Sequence, residues 1–228
     1  MAADGEMTNY EAARRSMVDR QVRPSDVTRP PLIDAMLWAP REKFLPKSRR
    51  PLAYMGESID VGSGRFELDP RILAKMIEAL APSPDDLALV IGSGGGYVAA
   101  VLSKLCAAVV ALDQDETLAA SARDAWNECG VDTVISVVGP HGAGCAQHAP
   151  YNIVLVAGAT PANGREPLAD ILRDQVAEGG RLCVLRQDGP AGWCDLVVRS
   201  GDGWSARRVF DASSPLLIGF EAETRFDF

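Results

Sequence analysis

Five consecutive residues, Gly92-Ser93-Gly94-Gly95-Gly96, stand between an apolar run and an apparent helix. A backbone without Cβ atoms can turn sharply, and a ligand can approach it closely. A helix starting beyond it adds unpaired N–H groups. Asp113, at the end of a second apolar run, lies 21 residues after Gly92. A carboxylate placed there can accept both hydroxyls of a ribose. Loop and acid together predict an adenosine-bearing ligand. For the glycines alone, a tight strand-to-helix turn without ligand is the simpler alternative, and Asp113 at this offset tips the balance toward binding.

The spacing narrows the ligand. A dinucleotide fingerprint, G-x-G-x-x-G, needs its third glycine at position 97, which is Tyr97. A phosphate-binding loop needs a following Lys-Ser/Thr, which is missing. The spacing Gly92, Gly94, Gly96 is that of S-adenosylmethionine enzymes. Metal chemistry is not expected, because neither of the two histidines, His141 and His148, sits in a ligand-spaced cysteine cluster.

Residues 87–91, 108–112, 133–138, 152–156 and 181–185 read as strands, and Leu87–Ile91 is continuously apolar, as a strand buried on both faces must be. Helices are expected between them, after Gly96, over 116–129 and over 166–176, the last closed by Gly179-Gly180. The β-α-β alternation predicts an α/β fold with a doubly wound, mostly parallel sheet. Residues 193–199 and 204–210 alternate around Ser200-Gly201-Asp202-Gly203 and predict a C-terminal antiparallel hairpin. Ahead of the sheet, Thr8 and Glu11 form a capping box for a helix to about Val22. Pro30-Pro31 opens a second helix, which Pro40 ends. The stretch 47–64 reads as loop with a short strand pair. Asp69 is an N-cap before Pro70 and the stripe Ile72, Leu73, Met76, Ile77, Leu80. Residues 1–85 are thus expected to form a helical lobe covering the site, and 86–228 the ligand-binding part of one structural unit.

The composition is that of a globular protein: 228 residues, 47% hydrophobic and 24% charged, with 23 Lys+Arg against 31 Asp+Glu. A net charge of −8 argues against nucleic acid as partner. The longest apolar run, Leu105–Leu112, is too short to span a membrane. An odd count of five cysteines without C-x-x-C spacing, and no visible signal peptide, predict a reduced, cytoplasmic protein.

Several segments together resemble one family. Met17-Val18-Asp19-Arg20-Gln21-Val22-Arg23, Pro40-Arg41-Glu42-Lys43-Phe44-Leu45-Pro46, Ala53-Tyr54, the stretch Ile91 to Leu102, His148-Ala149-Pro150-Tyr151-Asn152 and Glu178-Gly179-Gly180-Arg181-Leu182 are similar to the protein-L-isoaspartate O-methyltransferases. The resemblance runs from about Met17 to Arg208. It implies a Rossmann-like methyltransferase fold and transfer of a methyl group from S-adenosylmethionine to the carboxylate of isoaspartyl residues, the first step of protein repair. It also implies site roles. Gly92, Ser93, Gly94 and Gly96 would cradle the methionine end and Asp113 the ribose. Tyr97 would pack over the cofactor mouth, Gln114 would lie beside the adenine, and Gly139, Pro140 and His141 would border the base.

The chain departs from the family at three places. The segment that usually carries Thr and Ser is here Gly62-Ser63-Gly64-Arg65-Phe66-Glu67-Leu68-Asp69-Pro70, with Phe66 and Leu68 at the hydroxyl positions. Val90 stands where an acid usually precedes Ile-Gly, and Gly139-Pro140-His141-Gly142 lacks the usual carboxylate. Arg65, Phe66, Leu68 and Asp69 are the acceptor-pocket candidates, and no residue is assigned to proton transfer. With both hydroxyls gone, the partner is a peptide or protein substrate or a small apolar or aromatic acceptor. The alternative is a catalytically lapsed cofactor- or partner-binding module of the same fold.

Overall fold

The computed structural model describes residues 2–162, 172 and 174–220. Helix α1 spans Ala2–Met17 and begins ahead of Thr8, so the Thr8–Glu11 pattern lies inside it and does not open it. Ala, Glu and Met upstream propagate a helix readily, and propagation overrides a local capping preference. One π-turn, Val18–Val22, follows and buries both valines. Pro30–Trp38 forms α2, and Ile59–Gly62 (β1) and Arg65–Glu67 (β2) form an antiparallel hairpin. Its turn residues Gly62, Ser63 and Gly64 all have positive φ (98°, 51° and 67°). Pro70–Leu80 is α3; the Arg71 N–H donates to Asp69 Oδ1 at 2.8 Å, which makes Asp69 the N-cap.

Leu87–Ile91 (β3), Ala108–Asp113 (β4), Val134–Val138 (β5), Tyr151–Pro161 (β6), Val176–Asp188 (β7), Ala191–Ser200 (β8) and Gly203–Asp211 (β9) form a seven-stranded sheet in the order β5-β4-β3-β6-β7-β8-β9. The pairs from β5 to β7 are parallel, and β8 and β9 are the antiparallel hairpin. Tyr97–Leu102 (α4) and Glu116–Cys129 (α5) connect the first strands. The helix expected over 166–176 falls largely outside the described residues. Its expected last residue, Val176, instead starts β7, and Gly179-Gly180 lie within that strand. The register jumps there from Tyr151↔Val176 to Ile153↔Arg181, so the glycines carry a bulge in a strand instead of closing a helix.

Period-two alternation splits the sheet's side chains between two cores. Ala88, Val90, Val109 and Ala111 face the N-terminal helices, α4 and α5, while Leu89, Ile91, Val110 and Leu112 face Tyr151, Leu172 and Leu217. A buried cation ties the N-terminal segment to the hairpin. Arg41, 0% exposed, donates from Nη1 to Glu67 at 3.1 Å, from Nη2 to the Leu68 carbonyl at 2.7 Å and from Nε to the Ala53 carbonyl at 2.8 Å. β3 lies between β4 and β6, so the chain reverses direction across the sheet at its carboxyl end. Open α/β sheets bind ligands at such a switch point.

Candidate cofactor site

The bend at that switch point is fixed by β4. The N–H groups of Gly92 and Ser93 both donate to the Leu112 carbonyl, at 2.8 and 3.0 Å. The glycines answer different demands. A Cβ at Gly95 would stand 2.0 Å from the Phe44 carbonyl oxygen, and one at Gly96 would stand 2.8 Å from the Trp126 indole. Trp126 Nε1 also donates to the Gly96 carbonyl at 2.9 Å. Both positions therefore lack side chains because the protein packs there. At Gly94 (φ +53°), itself buried, a Cβ would meet nothing within 4 Å, so there is room for a further atom at this point of the bend.

Asp113 is 0% exposed and accepts the Gly94 N–H at 2.7 Å through Oδ2 and the Asp115 N–H at 3.1 Å through Oδ1. Two long-range side chains meet it. Arg65 Nη2 lies 3.3 Å from Oδ2 and His141 Nε2 lies 3.6 Å from Oδ1. His141 Nδ1 is 2.8 Å from the Ile218 carbonyl, so it donates there, and Nε2 accepts the Gln114 N–H at 3.2 Å. These partners assign the Nδ1–H tautomer. Arg65 Nη1 is nearly equidistant from the two ring nitrogens, at 3.4 and 3.5 Å, which puts the guanidinium against the ring face.

Burial pushes the Asp113 carboxyl up, but the charge of Arg65 and the N–H groups of Asp115 and Gly94 outweigh it and hold the group below the ordinary aspartate range. The sign for stability follows. The native fold favours the ionised form, so Asp113 contributes stability above about pH 4 and loses it as the pH falls through the depressed native value. In urea unfolding, the gap between wild type and Asp113→Asn is expected to shrink as the pH is lowered below that range. A gap independent of pH would refute the pairing.

The structure brings Gly92, Ser93, Gly94, Asp113, Gln114, Gly139, His141 and Arg65 together. The Gly139 N–H donates to the Asp113 carbonyl at 3.0 Å, and Pro140 next to it is exposed. Tyr97 is placed elsewhere. It is 0% exposed, with Arg41 5.0 Å from its ring centroid and Phe44 at 5.9 Å, inside the core. Asp69 caps α3 and pairs with Arg71, and Phe66 is half-buried. Leu68, expected to line the acceptor pocket, is 1% exposed in the main core and lines nothing. Leu68→Ser is accordingly expected to cost about 2–4 kcal/mol by removing buried methyl groups, read as a lower denaturant midpoint; an unchanged midpoint would place the side chain outside the core.

Sequence reasoning missed the segment after β9. Pro215 and Leu217 pair with Ala159, through the Ala159 N–H to the Pro215 carbonyl (3.0 Å) and the Leu217 N–H to the Ala159 carbonyl (2.8 Å). Leu217 then reaches the bend, where a Cβ at Gly92 would be 2.8 Å from Leu217 and 2.6 Å from Arg65 Nη2. The apolar run Leu216-Leu217-Ile218 after the hairpin was the available signal. A glycine bend with room beside Gly94 and a strand-end acid are the elements that would hold a sulfonium nucleoside. The nearest atoms over Gly92 are the far ends of the Arg65 and Leu217 side chains, so the residues present fit such a group.

Comparison with known proteins shows the family and the fold. Residues 13–206 match the family described as Protein-L-isoaspartate(D-aspartate) O-methyltransferase. A protein-L-isoaspartate O-methyltransferase of Roseiflexus castenholzii is 36% identical over 216 residues, covering 95% of this chain and 96% of the relative. One of Methanoregula boonei is 35% identical over 208 residues, covering 90% and 93%. In solved structures, a chain named as a Plasmodium falciparum member in complex with S-adenosyl-L-homocysteine superposes with a TM-score of 0.73 at 17% identity, covering 90% of this chain and 98% of that one. Another, named protein-L-isoaspartate O-methyltransferase, gives 0.76 at 20% identity, covering 91% and 67%. These relatives are named for the enzyme, and none supports a lapsed module. No helix among the described residues is long and apolar enough to cross a membrane, and no metal-binding cluster occurs among them. The chain belongs to the protein-L-isoaspartate O-methyltransferase family.

Proposed function

We propose that this chain uses S-adenosylmethionine to methylate the carboxylate of isoaspartyl residues in peptides and proteins. The observation that carries this is the glycine bend joined to Asp113 through the Gly94 N–H at the switch point of a sheet belonging to this family. Asp113 would hold the ribose hydroxyls, the amides from Gly92 to Gly96 the methionine end, and Gln114, Gly139, Pro140 and His141 would flank the base. When bound, S-adenosylmethionine supplies a methyl group activated on sulfonium.

The protein's own task is then to bind and orient, since position contributes most of the rate in an in-line displacement. An isoaspartyl carboxylate is already ionised at neutral pH, so no general base is needed. The acceptor's nature follows from what faces the site. Leu68 is turned into the core, so the expected apolar wall is reduced to Phe66, while Arg65 brings a cation to the bend. That favours a carboxylate over an apolar or aromatic acceptor. Phe66 also lines a groove of about 240 Å³ with Arg49, Leu52, Met55, Glu57 and Asp60, a surface that a substrate peptide would occupy.

The test is methyl transfer from radiolabelled S-adenosylmethionine to an isoaspartyl peptide and to its aspartyl twin. Base-labile label on the isoaspartyl peptide alone is expected. Failure to bind S-adenosylhomocysteine in calorimetry, or label only on another acceptor, would refute the proposal.

A further inference from the structure

We infer that Arg65 exchanges partners: it holds Asp113 while no ribose is there, and it receives the acceptor's carboxylate once ribose has taken Asp113. This rests on the function proposed above and names the group that replaces the family's missing hydroxyls.

The first observation is an arginine whose donors are poorly used. Arg65 is 2% exposed, yet Nε and Nη2 make no hydrogen bond among the described residues. Its contact with Asp113 is a single 3.3 Å approach, not a two-pronged pair of short bonds. A guanidinium offers five donors in a fixed fork matched to a carboxylate. Burial with so few of them satisfied is costly, so a better partner is favoured. The neighbouring arginines are not available for this. Arg41 is committed to Glu67, Leu68 and Ala53, and Arg71 to Asp69 and the Gly56 carbonyl.

The second observation is exclusion. Arg65 Nη2 lies so close over Gly92 that a Cβ there would be 2.6 Å away. A ribose hydrogen-bonded to Asp113 and a guanidinium in this place would compete for the same carboxylate and the same bend. Leaving costs the acid little orientation, because Asp113 is aimed independently by the Gly94 and Asp115 N–H groups. The displaced side chain stays within its own length of the bend, since its strand is held by pairing with β1. Phe66 offers an acceptor carboxylate no hydrogen bond, so the freed fork is the donor that it meets.

Opposite effects on two ligands are therefore expected from one substitution, which a purely structural role would not produce. Arg65→Met should bind S-adenosylhomocysteine about tenfold more tightly by calorimetry, since its competitor is gone, while raising the KM for an isoaspartyl peptide about tenfold or more. Arg65→Lys, which keeps a cation without the fork, should fall between on both measures and serves if the methionine variant does not fold. Binding of S-adenosylhomocysteine that is unchanged or weaker in both variants, or an unchanged peptide KM, overturns the exchange while leaving the proposed function standing. If neither wild type nor variants bind S-adenosylhomocysteine, both readings fall. Binding gained only by the variants also overturns both, since the exchange needs a wild type in which ribose displaces Arg65.

Discussion

Asn in place of Asp113 should weaken S-adenosylhomocysteine binding by about 100-fold. Two ribose hydroxyls donating to a carboxylate form charge-assisted bonds, each worth about 1.5–3 kcal/mol. Loss of the charge across the pair removes on the order of 3 kcal/mol, which is that fold-change. The substitution is isosteric but not innocent. Oδ1 and Oδ2 each accept one backbone N–H, from Asp115 and Gly94. An amide presents a donor to one of them, so one buried N–H loses its acceptor, and Arg65 loses its counter-charge. Stability should fall as well, by about 1–3 kcal/mol. Calorimetry below the variant's unfolding range separates the two effects. An affinity within threefold of wild type in a folded variant would show that Asp113 does not hold the ribose.

Ala at position 95 should destabilise the fold by about 4 kcal/mol or more, among the largest effects of any single methyl group in this protein. The new Cβ would stand 2.0 Å from the Phe44 carbonyl oxygen and 3.1 Å from its carbon, both backbone atoms. The 3-10 turn Arg41–Phe44 cannot simply retreat. It carries Arg41, whose guanidinium is held by Glu67, Leu68 and Ala53 in a buried site. Moving it would strip partners from a buried charge, itself strongly destabilising. Ala at position 94 is the control. It meets no atom within 4 Å and suffers only the strain of a left-handed backbone, about 1–2 kcal/mol. Denaturant unfolding of the two variants compares them directly. If Gly95→Ala lies no further from wild type than Gly94→Ala, the turn does not pack on the bend.

Element type was legible wherever neighbours in the chain decide it. The run Leu87–Ile91 read as a central strand because its short, continuous apolar stretch suits a strand covered on both faces, as Ala88–Ile91 are. Asp69-Pro70 opened α3, and Asp115 opened α5 with its carboxylate accepting the Leu118 N–H at 2.9 Å, because a cap acts within one turn. The glycine cluster and Asp113 were visible for the same reason: a bend needs missing side chains, and the acid stands at a fixed interval beyond it. The start of α1, inside which Thr8 fell, and the glycines of β7 were misread because capping and C-terminal signals are weaker than propagation and sheet pairing.

What only the tertiary structure decided is which side chains from distant segments share the site. Arg65 reaches Asp113 across 48 residues of sequence and His141 across 76, and Leu217 arrives at Gly92 from beyond the last strand. No periodicity encodes such meetings, since they depend on how a hairpin, a loop and a C-terminal segment pack over one sheet edge. The direction of a side chain at the end of a short strand was equally out of reach, so Leu68 could be expected at the pocket when it lies in the core. The glycines and the acid are properties of the chain; the cation that competes for the acid is a property of the fold, because charges act through space and the sequence records only order.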